Sequence, residues 1–336
     1  MLTLMTGASG FIGRALTPRL IQDGHRVRIF CRSASRLDPL TQRSSAVDIV
    51  EGDMADAAAV RRAVRGANRV VHLAAATTGT WDESYKVTVL GTKYLLESAE
   101  EEATQRILYV SSMSVYDYSQ VPDGGVVDER APIEDGRERR NAYARAKGDA
   151  DLVARQHQER GRVPICIARP GAVYGPGGHA PLLTTLLSLP GNVLSLIGGG
   201  RRQMPLVYIS NLVDALLLVL ERDQAFGRTF NIVDQSPPSE REYLKALYSM
   251  RGSTPHMLGV PRWPFLLAAR VVQSYRDFRG RPGGMHLVHG FRRVSGQIRF
   301  DGSTALQALG WASRVTFGEG MRRTFGTPID GASTTP

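Results

Sequence analysis

Short unbroken apolar runs alternate, through the first half of the chain, with stretches whose apolar positions recur every three to four residues. Residues 2–6, L-T-L-M-T, make the first run. Phe11, Ile12, Ala15, Leu16, Leu20 and Ile21 then repeat as the buried stripe of a helix does. The same reading predicts strands over 25–31, 46–51, 69–75, 106–110 and 163–168, and helices over 57–64, 81–102 and 141–157. Strands that are apolar at consecutive positions suit a parallel sheet covered on both faces. The predicted class is therefore α/β, a Rossmann-type doubly wound parallel sheet.

Beyond residue 175 the pattern divides between two bodies. Residues 206–233 read as strand, helix and strand returning to the sheet, whereas 181–200 and the chain from 237 onward leave it. With 336 residues to distribute, the expected division is a nucleotide-binding domain over 1–175 with 205–235, and a smaller substrate-binding domain over 176–204 with 236–325. Residues 326–336 form a tail. The two cysteines, Cys31 and Cys166, lie in strand-like runs and offer neither a disulfide framework nor a metal cluster, so no metal is expected. No charged-then-apolar leader precedes the first strand, and the longest apolar region, 181–197, is interrupted by Pro190 and Gly191. A soluble, cytoplasmic protein is the expectation.

Candidate chemistry begins in the turn after the first strand. Gly7, Gly10 and Gly13 recur every three residues between strand and helix. Glycine tolerates positive φ and lets backbone approach a ligand, and a helix start leaves N–H groups unpaired for phosphate. A tight turn without a ligand would use glycine too, but strand before, helix after and a second strand at βαβ distance favour a dinucleotide pyrophosphate. An acid at the end of that second strand would hold a ribose 2′-hydroxyl. Here Cys31 and Arg32 stand instead, with Arg36 close behind, so NADP is expected over NAD; a merely solvated Arg32 would leave the choice open.

Tyr143 and Lys147 are four residues apart on a predicted helix and so share a face, in a chain with only four lysines. An ammonium about 5 Å from a phenol supplies roughly 3 kcal/mol at an effective dielectric near 20, enough to lower the phenol's pKa by about two units and make it a base.

Taken together, the T-G-A-S-G-F-I-G loop, S-S-M-S-V-Y at 111–116, Tyr143 with Lys147, and R-P-G-A-V-Y-G-P at 169–176 resemble the extended short-chain dehydrogenases, the epimerase/dehydratase superfamily. The resemblance runs from residue 1 to about 325. It implies catalytic roles for Tyr143, Lys147 and Ser112. It also implies cofactor contacts from Gly7, Ser9, Gly10, Phe11, Ile12, Gly13, Arg32, Asp53, Met54, Leu73, Ala74, Tyr143, Lys147, Pro170 and Val173. Asp53 would face the adenine, or alternatively cap the next helix. Small residues after the fourth strand would leave room for the cofactor. Thr88 stands where the family usually has Asn, and His72, with no partner at ligand spacing, reads as a core or edge histidine.

The substrate is less determined. Sugar-nucleotide members usually begin the strand near 206–209 with Arg-Asp, the arginine meeting a diphosphate; Met204 and Pro205 stand here, with Arg201 and Arg202 nearby. Asn211 also looks more like the 3β-hydroxysteroid dehydrogenase and dihydroflavonol reductase branch. The expected activity is an NAD(P)-dependent oxidoreductase acting on a hydroxyl or ketone. A nucleotide-sugar epimerase, dehydratase or 4-ketoreductase is the alternative, and a cofactor-binding regulator without turnover is a third reading. Residues 117–139, rich in Pro, Gly and charge, suggest a surface loop over the substrate. Relatives are commonly homodimers through helices such as 82–102 and 141–157.

Net charge is +10, and between residues 251 and 300 nine arginines face one acid, Asp277. That skew favours anionic ligands or peripheral contact with an anionic membrane, through an apolar segment at 263–272, against the alternative of a solvated basic face over a core helix. Nothing supports nucleic acid.

Overall fold

Residues 1–134, 142–178, 180–181, 186–189, 192–279 and 287–326 are described by the computed structural model. Seven parallel strands make the central sheet: β1 (Leu2–Thr6), β2 (Arg26–Cys31), β3 (Val47–Glu51), β4 (Arg69–His72), β5 (Arg106–Val110), β6 (Ile165–Pro170) and β7 (Thr229–Ile232). Their spatial order is β7-β6-β5-β4-β1-β2-β3. The chain builds outward from β1 to β3, then crosses back to start the other half at β4. The crevice between the carboxyl ends of β1 and β4 is thus the switch point at which such sheets take ligands.

Neighbouring strand residues serve opposite faces, which explains the unbroken apolar runs. Met5, Val71 and Leu108 join the core under helices Phe11–Gln22 and Ile209–Glu221. Their chain neighbours Leu4, Val70 and Ile107 join the core under helices Ala57–Val64, Gly91–Glu101 and Ala142–Arg160. Among the described residues no helix is long and apolar enough to cross a membrane.

A second sheet pairs Val193–Ile197 antiparallel with Leu186–Leu189 and parallel with His256–Val260. Helices Glu240–Met250, Trp263–Phe278 and Leu287–Ser295 accompany it. One expectation needs correction. Leu206–Tyr208 does not rejoin the seven-stranded sheet but pairs with Ala172–Tyr174, because Gly171 brings the two segments so close that a Cβ there would meet the Pro205 carbonyl at 2.1 Å. The loop expected over 117–139 is, up to residue 134, mostly irregular with exposed residues at 120, 122–124, 126, 130 and 132, and it is anchored where Val127 is buried with Tyr116, Ile298 and Phe300 and Val126–Val127 pairs with Arg299–Phe300. Residues 135–141, including Asn141, and 327–336 lie outside the described residues.

Candidate active site

Gly7 follows β1 with φ +75°, and a Cβ there would lie 2.8 Å from the Ala74 nitrogen and 2.9 Å from the Leu73 carbonyl carbon. Only glycine lets the loop come that close to the segment after β4. The Ala74 N–H donates to the Thr6 hydroxyl at 3.2 Å, holding the two strand ends together. At Gly13 a Cβ would meet the Gly7 oxygen at 2.2 Å, so helix and loop touch backbone to backbone. Gly10 is the N-cap of the helix; it has no side chain to satisfy the first N–H groups, and the first turn holds no acid. The cradle fits a dinucleotide pyrophosphate on these observations. Phe11 reaches away from Ser9 and the loop into a cluster with Ile12, Val173 and Tyr174, and its ring fills the space beside Gly178. In this way the segment after Pro170 is brought against the loop.

Near the end of β2 Arg32 is exposed, as is Arg36. Sequence reasoning missed Arg14. Its guanidinium donates to the Ser9 carbonyl at 3.0 Å and reaches the Arg36 carbonyl at 3.5 Å, tying the cradle to the segment after β2 that carries the exposed Arg32 and Arg36. Its position one residue past the last glycine, on the loop side of the first turn, was the available signal. Asp53 does not cap the helix: Asp56 does, accepting from Ala58 and Ala59, while Asp53 turns back onto the Ala55 N–H at 2.9 Å and stays exposed. Met54 is buried in the core and packed where Gly91 leaves room.

At the carboxyl end of β5, Ser112 accepts the Ser114 N–H at 3.1 Å and hydrogen-bonds the Tyr143 phenol. The Lys147 ammonium, one turn along the same helix, donates to the Val110 carbonyl at 2.9 Å. Strand and helix thus gather Ser112, Tyr143 and Lys147 at the carboxyl end of β5. Their electrostatics differ from the sequence expectation. Burial pushes the phenol above its usual value, opposed by the Ser112 bond rather than by the lysine. Lys147 is itself pulled down to about 8 by burial, with Asp151 partly restoring it. An ammonium turned toward a backbone carbonyl leaves the phenol protonated.

Below the lysine lies a buried ion network that the sequence did not disclose. Asp151, one further turn along the helix and fully buried, accepts from both ends of the Arg169 guanidinium at 3.0 and 2.7 Å and from Ser111 at 2.6 Å. Arg169 continues to the Tyr116 hydroxyl at 2.9 Å, which donates to Asn231 at 2.6 Å. The i, i+4, i+8 spacing of Tyr143, Lys147 and Asp151 was the signal.

Other candidates resolve as structural. His72 is buried between the Thr6 and Thr92 hydroxyls at 2.7 and 3.0 Å, its pKa lowered to about 3 by burial and the nearby lysine. Thr88 sits in a π-helical stretch, Tyr85–Leu90, and accepts the Ala76 N–H at 2.9 Å. Asn211 is fully engaged: it donates to Asp234 and the Val315 carbonyl, each at 2.8 Å, and accepts the Arg314 and Val315 N–H groups. Arg202 is held by the Val294 carbonyl and lies over the Tyr118 ring, while Arg201 is exposed. Among the described residues no group of acidic, histidine and cysteine side chains could hold a metal.

Comparison with known proteins agrees with this geometry. The chain is 25% identical to 3β-hydroxysteroid-dehydrogenase/decarboxylase isoform 2 of Arabidopsis thaliana over 96% of its own length, and spans 61% of that protein. Identity to the mouse (Mus musculus) dTDP-D-glucose 4,6-dehydratase is also 25%, covering 96% of this chain and 86% of the other. In fold it is similar to UDP-glucuronic acid 4-epimerase from Bacillus cereus, solved in complex with NAD, with a TM-score of 0.70, 19% identity and 97% of each chain covered. The model of the NAD dependent epimerase/dehydratase family matches residues 3–232, which takes in the cradle, the Ser112–Tyr143–Lys147 group and all seven strands of the sheet but for the first residue of β1, and the chain belongs to that family.

Proposed function

We propose that the protein is an NADP-linked ketone reductase or hydroxyl dehydrogenase of hydroxysteroid or ketoreductase type. The observation that carries it is the Ser112–Tyr143 pair with its phenol kept protonated by burial. A neutral phenol beside a serine hydroxyl presents two donors to one carbonyl oxygen, the arrangement ketone reduction needs at neutral pH. Tyr143 gives its proton to that oxygen while Ser112 holds it in place. Lys147 keeps the helix register against Val110 and offers a cation toward the ribose. Bound in the glycine cradle, the nicotinamide cofactor supplies the hydride.

Arg14 at the cradle, with the exposed Arg32 and Arg36 on the segment it touches, supports a 2′-phosphorylated cofactor. A hydroxysteroid-like or other apolar ketone is favoured over a nucleotide sugar because Arg202 is already committed to Val294 and Tyr118. A turnover screen of ketones, sterols and nucleotide sugars with NADPH and NADH tests the reading. Tyr143→Phe is expected to lose about 10²–10⁴-fold in kcat while still binding NADPH. Activity surviving that substitution refutes the assigned acid. Thermal stabilisation by nucleoside diphosphates equal to that by NADPH would favour the sugar-nucleotide alternative.

A further inference from the structure

Helix Trp263–Phe278 contains no buried residue. One side is anchored: Phe265 stacks on Phe291 with ring centroids 6.0 Å apart, the Gln273 carbonyl accepts the Leu287 N–H at 3.0 Å, and Arg262 is paired with Asp123 at 2.6 Å. The opposite side is apolar and bare. Trp263, Leu267, Val271 and Tyr275 follow one another at four-residue spacing, with Val272 and Phe278 beside them, and all six are exposed, Trp263 by 67% and Phe278 by 89%. The sequence alternative of a core-facing helix therefore fails: most of its apolar positions are exposed.

A stripe of this size along a helix about 24 Å long has a cost in water that nothing else in the described residues offsets. Its surroundings indicate what covers it. Arg270 and Arg276 lie on the same helix, and Arg279, its C-cap, sits 5.1 Å from the Tyr275 ring. The one acid of the region, Asp277, accepts a hydrogen bond from Gln273. Two copies of the chain meeting through this face would set arginine against arginine, because a two-fold contact apposes the same patch to itself. An anionic lipid surface instead accepts apolar side chains between headgroups and neutralises the flanking guanidiniums, and Trp and Tyr are the aromatic residues that such interfaces favour.

We infer that Trp263–Phe278 is a monotopic membrane-docking helix that lays its outward apolar stripe into the surface of an anionic bilayer, with the flanking arginines on the headgroups. The helix lies in the surface and does not span it, consistent with its length. This inference stands apart from the catalytic reading, since docking is measured without turnover.

Co-sedimentation of the full chain with phosphatidylcholine vesicles containing about 30% phosphatidylserine, and with phosphatidylcholine alone, tests it. Partition into the anionic vesicles at least about tenfold above the neutral ones, falling as salt is raised, is the expected result. The variant Leu267→Gln/Val271→Gln/Phe278→Ser alters only exposed side chains, so its melting temperature is expected to match wild type while its partition falls about tenfold or more. Arg270→Gln and Arg279→Gln are each expected to weaken partition about fivefold. Wild-type protein that ignores anionic vesicles, or a triple variant that binds them undiminished, overturns the proposal. So does a triple variant that, without vesicles, converts a larger species to a smaller one in light scattering, since the stripe would then be a contact between copies.

Discussion

Replacing Asp151 by Asn removes one charge from the centre of the buried network while keeping its shape. Asp151 is fully buried and Arg169 is 1% exposed, so the pair has no water to fall back on. Breaking such a pair by deleting one charge costs about 3–5 kcal/mol, because the guanidinium is left buried and uncompensated. The Asn oxygen can still accept from Ser111 and from Arg169 Nε, which share Oδ1 in the carboxylate, but its amide nitrogen then faces Arg169 Nη2 where Oδ2 accepted. Urea unfolding should register the loss directly. A second readout separates a structural effect from a site effect. Asp151 is what raises the Lys147 pKa against burial, so in the variant that group falls below about 8; if loss of the Lys147 charge sets an alkaline limb of ketone reduction, that limb moves to lower pH. The double variant Asp151→Leu/Arg169→Met, which removes both charges, should recover much of the stability lost in either single. Asp151→Asn within about 1 kcal/mol of wild type, or a double variant whose cost is the sum of the singles, would refute the network as drawn.

Two further outcomes follow from the site. Arg14→Ala and Arg32→Ala should each raise KM for NADPH about 10- to 100-fold, the loss of one charge-assisted contact, and leave KM for NADH nearly unchanged in steady-state kinetics; equal effects on both cofactors would remove the 2′-phosphate assignment. His72 is held neutral, with its pKa near 3 against an ordinary 6.5, so below pH 6.5 the unfolded chain binds a proton that the native one does not. Stability should therefore fall as pH drops from 6.5 toward 3, by about 2 kcal/mol at pH 5, and His72→Gln should flatten that part of the urea-unfolding profile.

What the sequence disclosed was whatever local pattern controls. The strands were legible within two or three residues because consecutive apolar positions report burial on both faces. The glycine cradle was legible because Gly7 and Gly13 have a steric reason to be there that spacing alone betrays. Pairing between distant segments was not legible. Leu206–Tyr208 has the composition of a sheet strand, yet Gly171 diverts it to Ala172–Tyr174, a contact decided by a missing side chain thirty-odd residues away. Asn211 resembled a marker of substrate class, and its four hydrogen bonds to Asp234, Arg314 and Val315 give it a purely structural occupation. Asp53 and Asp56 are equally good caps by composition, and only the helix start at Ala57 chooses between them.

The electrostatics of Tyr143 were misjudged for a related reason. Helical spacing fixes which side chains share a face, but the direction of a lysine's terminal amine depends on what the neighbouring strand offers. Here β5 ends in a carbonyl, at Val110, within reach of Nζ. The ammonium is drawn there, desolvated to a pKa of about 8, and kept charged at neutral pH by Asp151 below it. The phenol above is left to its own burial and to Ser112, and both favour a proton donor over a base. A carboxylate buried two turns from the reacting oxygen thus supports the lysine, and the lysine fixes the helix that aims the tyrosine. For this reason the Asp151 and Tyr143 substitutions should affect different quantities: the first stability and the pH of the alkaline limb, the second the rate of proton delivery at every pH.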